Sequence, residues 1–114
     1  MRVINVTRRT TLGDLVDIAD TNLKRRTGLL KHERLQDGAG LWIVPCGGVH
    51  TVLMRFVIDV IYLDRNQRVR KIVCELAPWR LSYCLLAHSA LEFPAGYINR
   101  SGTRKGDQLD LQVT

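Results

Sequence analysis

FVIDVIYLDRNQRVRKIVC, residues 56–74, has the strongest structural pattern in the chain. Residues 57–63 are rich in β-branched side chains, which favour an extended backbone. Residues 64–67, Asp-Arg-Asn-Gln, have the composition of a turn. Residues 69–74 then continue with further apolar, β-branched side chains. The whole stretch therefore predicts a β-hairpin.

Shorter extended segments lie upstream of this hairpin. Residues 3–6 are predicted to form a first strand and residues 12–19 a second, longer one. Residues 41–44, Leu-Trp-Ile-Val, form a compact apolar run that ends at Pro45. Because proline cannot donate a ladder hydrogen bond, we expect this third strand to end there.

One short helix is predicted in the N-terminal half of the chain. Residues 20–22, Asp-Thr-Asn, carry side-chain oxygens that can accept hydrogen bonds from the first free amides of a helix. The helix is then expected over residues 22–29, with Leu23 and Leu30 directed towards the core.

The C-terminal part again has the pattern of strands. Residues 91–93 are predicted to be a short strand, and residues 94–96, Pro-Ala-Gly, a turn. In residues 108–114, QLDLQVT, apolar and polar side chains alternate, which is typical of a sheet with one buried face. The fold class is therefore mainly β: a compact β-sandwich or barrel-like domain of short, mostly antiparallel strands with one short helix.

Length and composition fit a single domain over residues 1–114. No apolar run approaches the roughly 20 residues that a membrane-spanning helix needs. Arg8, Arg9 and Asp14 interrupt the N-terminal region where a signal peptide would be apolar. We therefore expect a cytoplasmic protein that does not act at a membrane.

The three cysteines do not form a recognisable framework. Cys46, Cys74 and Cys84 contain no CxxC pair, so neither a disulfide scaffold nor a zinc ribbon is predicted. No P-loop, dinucleotide fingerprint, HExxH motif or paired carboxylate is present either. We therefore predict no cofactor, and the absence of common catalytic motifs favours a protein that is not an enzyme.

The net charge of +6 raises the question of nucleic-acid binding. The basic residues are scattered in several clusters along the chain, and aromatic residues amount to only 6%. No aromatic residue is interleaved with the clusters to stack on bases. Nucleic-acid binding through the basic surface is therefore the weaker of the alternatives for function.

Several segments, in a fixed order, resemble a known family. They are Arg26-Thr27-Gly28-Leu29-Leu30, Gly40-Leu41-Trp42-Ile43, Ile58-Asp59-Val60-Ile61-Tyr62-Leu63-Asp64, Leu91-Glu92-Phe93-Pro94-Ala95-Gly96 and Gly106-Asp107. Over about residues 21–113 the chain thus resembles the domain of unknown function 192 family. The resemblance implies a compact β-sandwich, and a function that the family name leaves unsettled.

The chain departs from the family pattern at two places. Many members carry an aromatic-Trp-Met-x-Asn-Thr segment, whereas residues 49–54 here are Val-His-Thr-Val-Leu-Met and resemble a His-Thr variant. Val57 stands where relatives usually have proline. No site built on the tryptophan or asparagine of the relatives is therefore transferred to this chain.

Residues 45–54, PCGGVHTVLM, concentrate the reactive side chains. Cys46, His50 and Met54 are the candidates for a metal site. They are too few and too loosely spaced for zinc, whereas the soft thioether of Met54 would suit a copper(I)-like site. An alternative function is a metal- or thiol-dependent enzyme centred on Cys46 and His50, with Asp59 as the third member. The structural alternative is a bend at the glycine pair, with His50 and Thr51 bonding to backbone groups and Met54 in the core.

The leading hypothesis is a non-catalytic binding module. Asp59 is a carboxylate within an apolar run, where it needs a partner such as Arg55 or Arg80, faces solvent by alternation, or caps a turn. Trp79 and Arg80 follow Pro78 and combine a flat apolar ring with a forked donor. We expect the binding residues at the rim, and a small polar ligand or another protein as the partner. The predicted binding residues are His50, Thr51, Arg55, Asp59, Trp79 and Arg80.

Overall fold

A computed structural model of the protein describes residues 1–27 and 35–113. These residues form ten strands and two short helices. The strands are β1 (Arg2–Asn5), β2 (Thr10–Gly13), β3 (Leu15–Ala19), β4 (Ala39–Ile43), β5 (Gly48–His50), β6 (Ile58–Leu63), β7 (Val69–Leu76), β8 (Leu81–Tyr83), β9 (Ser89–Pro94) and β10 (Leu109–Gln112). The helices are α1 (Asn22–Thr27) and α2 (Tyr97–Ser101). Neither of these helices is long and apolar enough to cross a membrane.

The strands form three sheets. The central sheet has five strands in the order β3-β4-β9-β6-β7, and it is flanked by a three-stranded sheet, β10-β1-β2, and by the pair β5-β8. Within the described residues, β3 and β4 run parallel, whereas the other paired strands are antiparallel. The predicted mainly β fold of short, mostly antiparallel strands is therefore confirmed.

Strand β6 lies in the interior of the central sheet, between β9 and β7, and all six of its residues are buried. Ile61 and Leu63 belong to the apolar cluster that packs beneath the three-stranded sheet. Ile58, Val60 and Tyr62 belong to a second cluster, on the opposite face, that includes Val49 of β5 and Met54. Because both faces of β6 are covered, its sequence is a nearly continuous apolar run and does not alternate between apolar and polar residues.

The hairpin predicted from residues 56–74 is present. Strands β6 and β7 are antiparallel neighbours, with Ile61 opposite Ile72. The side chain of Asp64 closes the turn, because its Oδ1 accepts hydrogen bonds from the backbone N–H groups of Asn66 at 2.9 Å and Arg68 at 3.0 Å. The alternating C-terminal segment is also a strand, β10, with Leu109 and Leu111 buried.

The single strand predicted over residues 12–19 is wrong. The chain changes sheets after Gly13, so that β2 joins the three-stranded sheet and β3 the central one. A Cβ atom at Gly13 would lie 2.8 Å from the Gly38 carbonyl oxygen and 2.8 Å from the Phe93 ring. The change of sheet therefore occurs where the backbone packs too closely for a side chain, which residues 12–19 alone do not reveal.

The predicted N-terminal helix is only partly tested. Helix α1 begins at Asn22, and the backbone N–H of Lys24 donates to the Thr21 hydroxyl at 3.2 Å, which confirms the predicted cap. The predicted burial of Leu23 is wrong, because 74% of this residue is exposed. The short helix does not turn that side chain towards either apolar cluster. Leu30 and the predicted end of the helix lie outside the described residues.

Helix α2 was not predicted. It consists of five residues that follow Gly96, whose φ of 96° is a backbone conformation that glycine adopts without a steric penalty. Its first turn is held by a side chain from β6, as described below. A helix so short has no apolar periodicity of its own, and it forms because of this distant contact.

Candidate functional site

Thr51 is a fully buried residue that joins two loops. Its backbone N–H donates to the Arg80 carbonyl at 2.9 Å, and its carbonyl accepts from Trp79 N–H at 2.9 Å and from Met54 N–H at 3.1 Å. Its hydroxyl donates to the Ala77 carbonyl at 2.6 Å and accepts from Arg80 N–H at 2.8 Å. Thr51 therefore fixes the loop before β8 against the loop after β5.

Two large side chains are presented to solvent by these loops. Leu53 has a φ of 65° and Trp79 a φ of 63°, and the two residues are 64% and 62% exposed. A left-handed backbone costs roughly 1–2 kcal/mol for a residue other than glycine, so it persists only where the surroundings determine it. The hydrogen bonds to Thr51 fix the backbone of both loops in this conformation. Trp79 is consequently held in place outside the core.

Strand β8 is turned with its polar side inwards. Ser82 is buried and lies opposite Val49 of β5, and its hydroxyl accepts a hydrogen bond from the Tyr62 hydroxyl at 3.0 Å. Burial raises the pKa of Tyr62, so this hydroxyl keeps its proton and remains a donor. Leu81 and Tyr83, on either side of Ser82, point outwards and are exposed.

The outward side chains form a row that extends past both ends of β8. Its members are large apolar residues, each between 62% and 90% exposed. We call this row the Trp79 stripe; it comprises Trp79, Leu81, Tyr83, Leu85 and Leu86. These five side chains lie within eight residues of one another along the chain, and exposed apolar surface that is grouped in this way is typical of an interaction surface.

Four of the six predicted binding residues lie together beside this stripe. His50 is exposed and pairs with Leu81 across β5 and β8. Arg80 is exposed, and its Nη1 donates to the Trp79 carbonyl at 3.3 Å. His50 and Arg80 therefore lie beside the end of the stripe that Trp79 forms, and Thr51 is buried beneath this end. Arg55 is exposed on the loop between β5 and β6.

Asp59 lies elsewhere and is fully buried. Its Oδ2 accepts from the N–H groups of Gly96 at 3.1 Å and Ile98 at 2.9 Å, and its Oδ1 accepts from Glu75 N–H at 2.9 Å. Neither the solvent-facing position nor the pairing with Arg80 considered for it is observed. The carboxylate instead holds the first turn of α2 and an irregular residue of β7, since Glu75 has a φ of 56°.

The reactive side chains of residues 45–54 are dispersed between the core and the surface. Cys46 is half-buried, its Sγ donates to the Gly48 carbonyl at 3.1 Å, and burial raises the pKa of its thiol. Met54 is buried in the second apolar cluster, whereas His50 is exposed. Within residues 1–27 and 35–113, no group of three His, Cys, Asp or Glu side chains could hold a metal ion.

Sequence reasoning missed most of the stripe. The segment 79–85 alternates apolar and polar residues, which could have indicated a two-faced strand. By the usual rule such a strand buries its apolar side. The structure does the opposite, because Ser82 and the loops fixed by Thr51 occupy the inward positions.

Glu92 is a second residue whose role the sequence did not reveal. It lies in β9 between Leu41 of β4 and Val60 of β6, and only 3% of it is exposed. In the part of the chain that the structure describes, no hydrogen bond reaches its carboxyl group. Burial raises the pKa of Glu92 to about 7. The free energy of unfolding therefore depends on whether this carboxyl group is protonated.

The comparisons with known proteins concern the family and the fold. Residues 4–111 match the model of the DUF192 family, described as Uncharacterized ACR, COG1430. No curated protein matches the sequence significantly.

Two solved structures are similar along almost the whole chain. One is a protein of unknown function from Novosphingobium aromaticivorans DSM 12444, with a TM-score of 0.81 and 19% identity over 96% of this chain and 82% of that one. The other, from Sinorhizobium meliloti 1021, is provisionally described as a transcription regulator, with a TM-score of 0.82 and 20% identity over 96% of this chain and 89% of that one. At these identities the likeness shows a shared fold.

Proposed function

The chain belongs to the DUF192 family of uncharacterised proteins, and on that premise we propose that it is a non-catalytic binding module that recognises another protein through the Trp79 stripe. The partner is a protein segment that covers these exposed side chains. The single observation that carries the proposal is the orientation of β8, with Ser82 buried and Leu81 and Tyr83 exposed.

The energetics of this orientation favour a partner. Full burial of a large apolar side chain is worth about 1.5–3 kcal/mol, and the stripe leaves five such side chains largely in water. The fold nevertheless holds them there through the hydrogen bonds of Thr51 and Ser82. Tryptophan, tyrosine and arginine are the residues that most often dominate protein interfaces. Trp79 and Tyr83 belong to the stripe, and the exposed Arg80 lies between Trp79 and Leu81 in the chain.

The chemistry of the site favours a protein over a small polar ligand. The hydroxyl and both backbone groups of Thr51 already bond to the protein's own backbone. Of the remaining contact area, Leu81, Leu85 and Leu86 offer no hydrogen bonds, and Trp79 and Tyr83 each combine a large apolar ring with a single polar group. The neutral thiol of Cys46, bonded to its own loop, likewise supports a non-catalytic role, because a nucleophilic cysteine must be a thiolate.

The test is a selection from a phage-displayed library of short random peptides on the immobilised protein. We expect enriched peptides to bind the wild type and to bind Leu81→Asp at least about tenfold more weakly, since a buried unpaired charge would then face the partner. Val113→Asp is the matched control, because Val113 is 63% exposed but lies outside the stripe. Absence of enrichment, or equal binding to Leu81→Asp and the wild type, would contradict the proposal.

A further inference from the structure

A groove of about 560 Å³ lies at the far end of the Trp79 stripe from Trp79 itself. One wall comes from β7, another from the residues that follow β8, and Lys105 closes the rim. The residues that matter for its chemistry are Arg70, Lys71, Ile72, Leu85, Leu86 and Lys105. Leu85 and Leu86 belong to both the groove and the stripe, so a chain that covers the stripe continues into the groove.

The charges that line the groove are positive and only partly neutralised. Arg70 pairs with Asp64, with 3.0 Å between its Nε and the carboxylate Oδ2. Among residues 1–27 and 35–113, no carboxylate pairs with Lys71 or Lys105. Lys71 instead donates to the Tyr83 carbonyl at 2.9 Å and lies 5.7 Å from the centroid of the Tyr83 ring. The groove therefore has a cationic rim that is complementary to carboxylates.

The backbone beside the groove favours an extended ligand. Strand β7 forms one edge of the central sheet, and β6 is its only strand neighbour in the described part of the chain. Near its start β7 is covered, since Gly106 N–H donates to the Val69 carbonyl at 2.8 Å. The lining residues Arg70, Lys71 and Ile72 lie beyond that contact. An exposed sheet edge is a template on which a peptide can add as a further strand.

From these observations, and building on the proposed function, we propose that the partner segment is an extended peptide in which acidic and apolar residues alternate, and that it docks in this groove along β7. The acidic side chains then meet the cations Lys71 and Lys105, and the apolar side chains meet Leu85 and Leu86 in the same groove.

Two other anionic partners share part of this chemistry. A nucleic acid would use the cations but gain little from the leucine side chains, because base stacking needs aromatic rings. An anionic bilayer would meet the apolar residues best on a protruding surface, whereas these cations line a concave one. The combination of leucines and lysines in one groove therefore favours the acidic, apolar peptide.

The experiment measures binding of two synthetic peptides by fluorescence anisotropy, one alternating aspartate with valine and the other alternating lysine with valine. We expect the aspartate peptide to bind the wild type, and Lys71→Glu or Lys105→Glu to weaken that binding about tenfold. Lys24→Glu, on the exposed surface of α1, is the matched control and is expected to change the affinity less than about twofold. Equal binding of both peptides, or an equal effect of Lys24→Glu, would overturn the inference.

Parallel titrations with phosphatidylglycerol vesicles and with oligothymidine distinguish an acidic peptide from an anionic bilayer and from a nucleic acid as the partner. Tighter binding to either of these, with the same dependence on Lys71 and Lys105, would overturn the assignment to a peptide. If the aspartate peptide fails while library-selected peptides still require Leu81, this inference is wrong and the proposed function stands. If neither kind of peptide binds, both are wrong.

Discussion

Trp79 donates its backbone N–H to the carbonyl of Thr51 at 2.9 Å, so a buried threonine positions an exposed indole. The same threonine bonds to Arg80 and Ala77 through its hydroxyl. The loop that carries the Trp79 stripe away from the core is therefore fixed from beneath. This contact connects the stability of the fold to the shape of the proposed binding surface.

Replacement of Thr51 by valine tests this connection. The Thr51→Val variant keeps the shape of the side chain but leaves the Ala77 carbonyl and the Arg80 N–H without their partner. We expect the free energy of unfolding to fall by about 2–3 kcal/mol, because unsatisfied buried polar groups cost about 1–3 kcal/mol each. Urea denaturation checks the loss. Thr51→Ser retains the hydroxyl and should recover most of the stability; equal losses in both variants would contradict the role of the hydroxyl.

Asp59 is expected to contribute to stability rather than to binding. Its carboxylate accepts hydrogen bonds from three backbone N–H groups. The Asp59→Asn variant would replace one accepting oxygen by an NH2 group, which only donates. We predict a loss of about 2–4 kcal/mol in the free energy of unfolding, since hydrogen bonds to charged groups are the stronger ones. Asp17→Asn, at an exposed position in β3, provides the control for chemical denaturation. A change in peptide affinity without loss of stability would refute this assignment.

The raised pKa of Glu92 predicts how the free energy of unfolding depends on pH. Burial raises its pKa from 4.5 to about 7, so between these values the folded state binds more protons than the unfolded state. The free energy of unfolding therefore falls as the pH rises through this window, by about 3 kcal/mol in total. Above about pH 7 the carboxylate is charged and buried, and the full penalty applies.

The comparison with Glu92→Gln isolates this contribution, because glutamine does not titrate. We expect the variant to gain about 3 kcal/mol over the wild type between about pH 4.5 and pH 8, measured by denaturation at several pH values. A difference between the two proteins that stays constant across this range would show that Glu92 does not titrate as described.

The exposed residues of the stripe should contribute little to stability. Leu81→Asp and Leu85→Asp change side chains that are 77% and 90% exposed. We expect the free energy of unfolding to change by no more than about 0.5 kcal/mol in either variant, as for other surface substitutions. Thermal denaturation provides the measurement. Losses of several kcal/mol would mean that these leucines stabilise the isolated fold.

The parts of the fold that were predicted correctly depend on local sequence. The hairpin of β6 and β7 follows from β-branched residues around a turn that Asp64 closes within its own segment. The last strand follows from strict alternation. The parts that were missed depend on distant contacts: the change of sheet at Gly13 depends on Phe93, and α2 depends on Asp59.

The candidate site shows the same division. Trp79 and Arg80 could be predicted as surface residues because they follow Pro78 in a loop. The orientation of β8 could not be predicted, because it depends on the hydrogen bond between Tyr62 and Ser82 and on the bonds of Thr51. Alternation reveals that a strand has two different faces, but the packing of the whole molecule decides which face is buried.

The most direct test of the proposed function is an NMR map of backbone amide shifts as the library-selected peptide is added to the labelled protein. The binding of a protein segment by the Trp79 stripe predicts that the largest shifts fall within residues 79–86 and disappear in Leu81→Asp. Shifts centred on Cys46 and Glu92, or spread evenly over the basic surface with no concentration in residues 79–86, would contradict it.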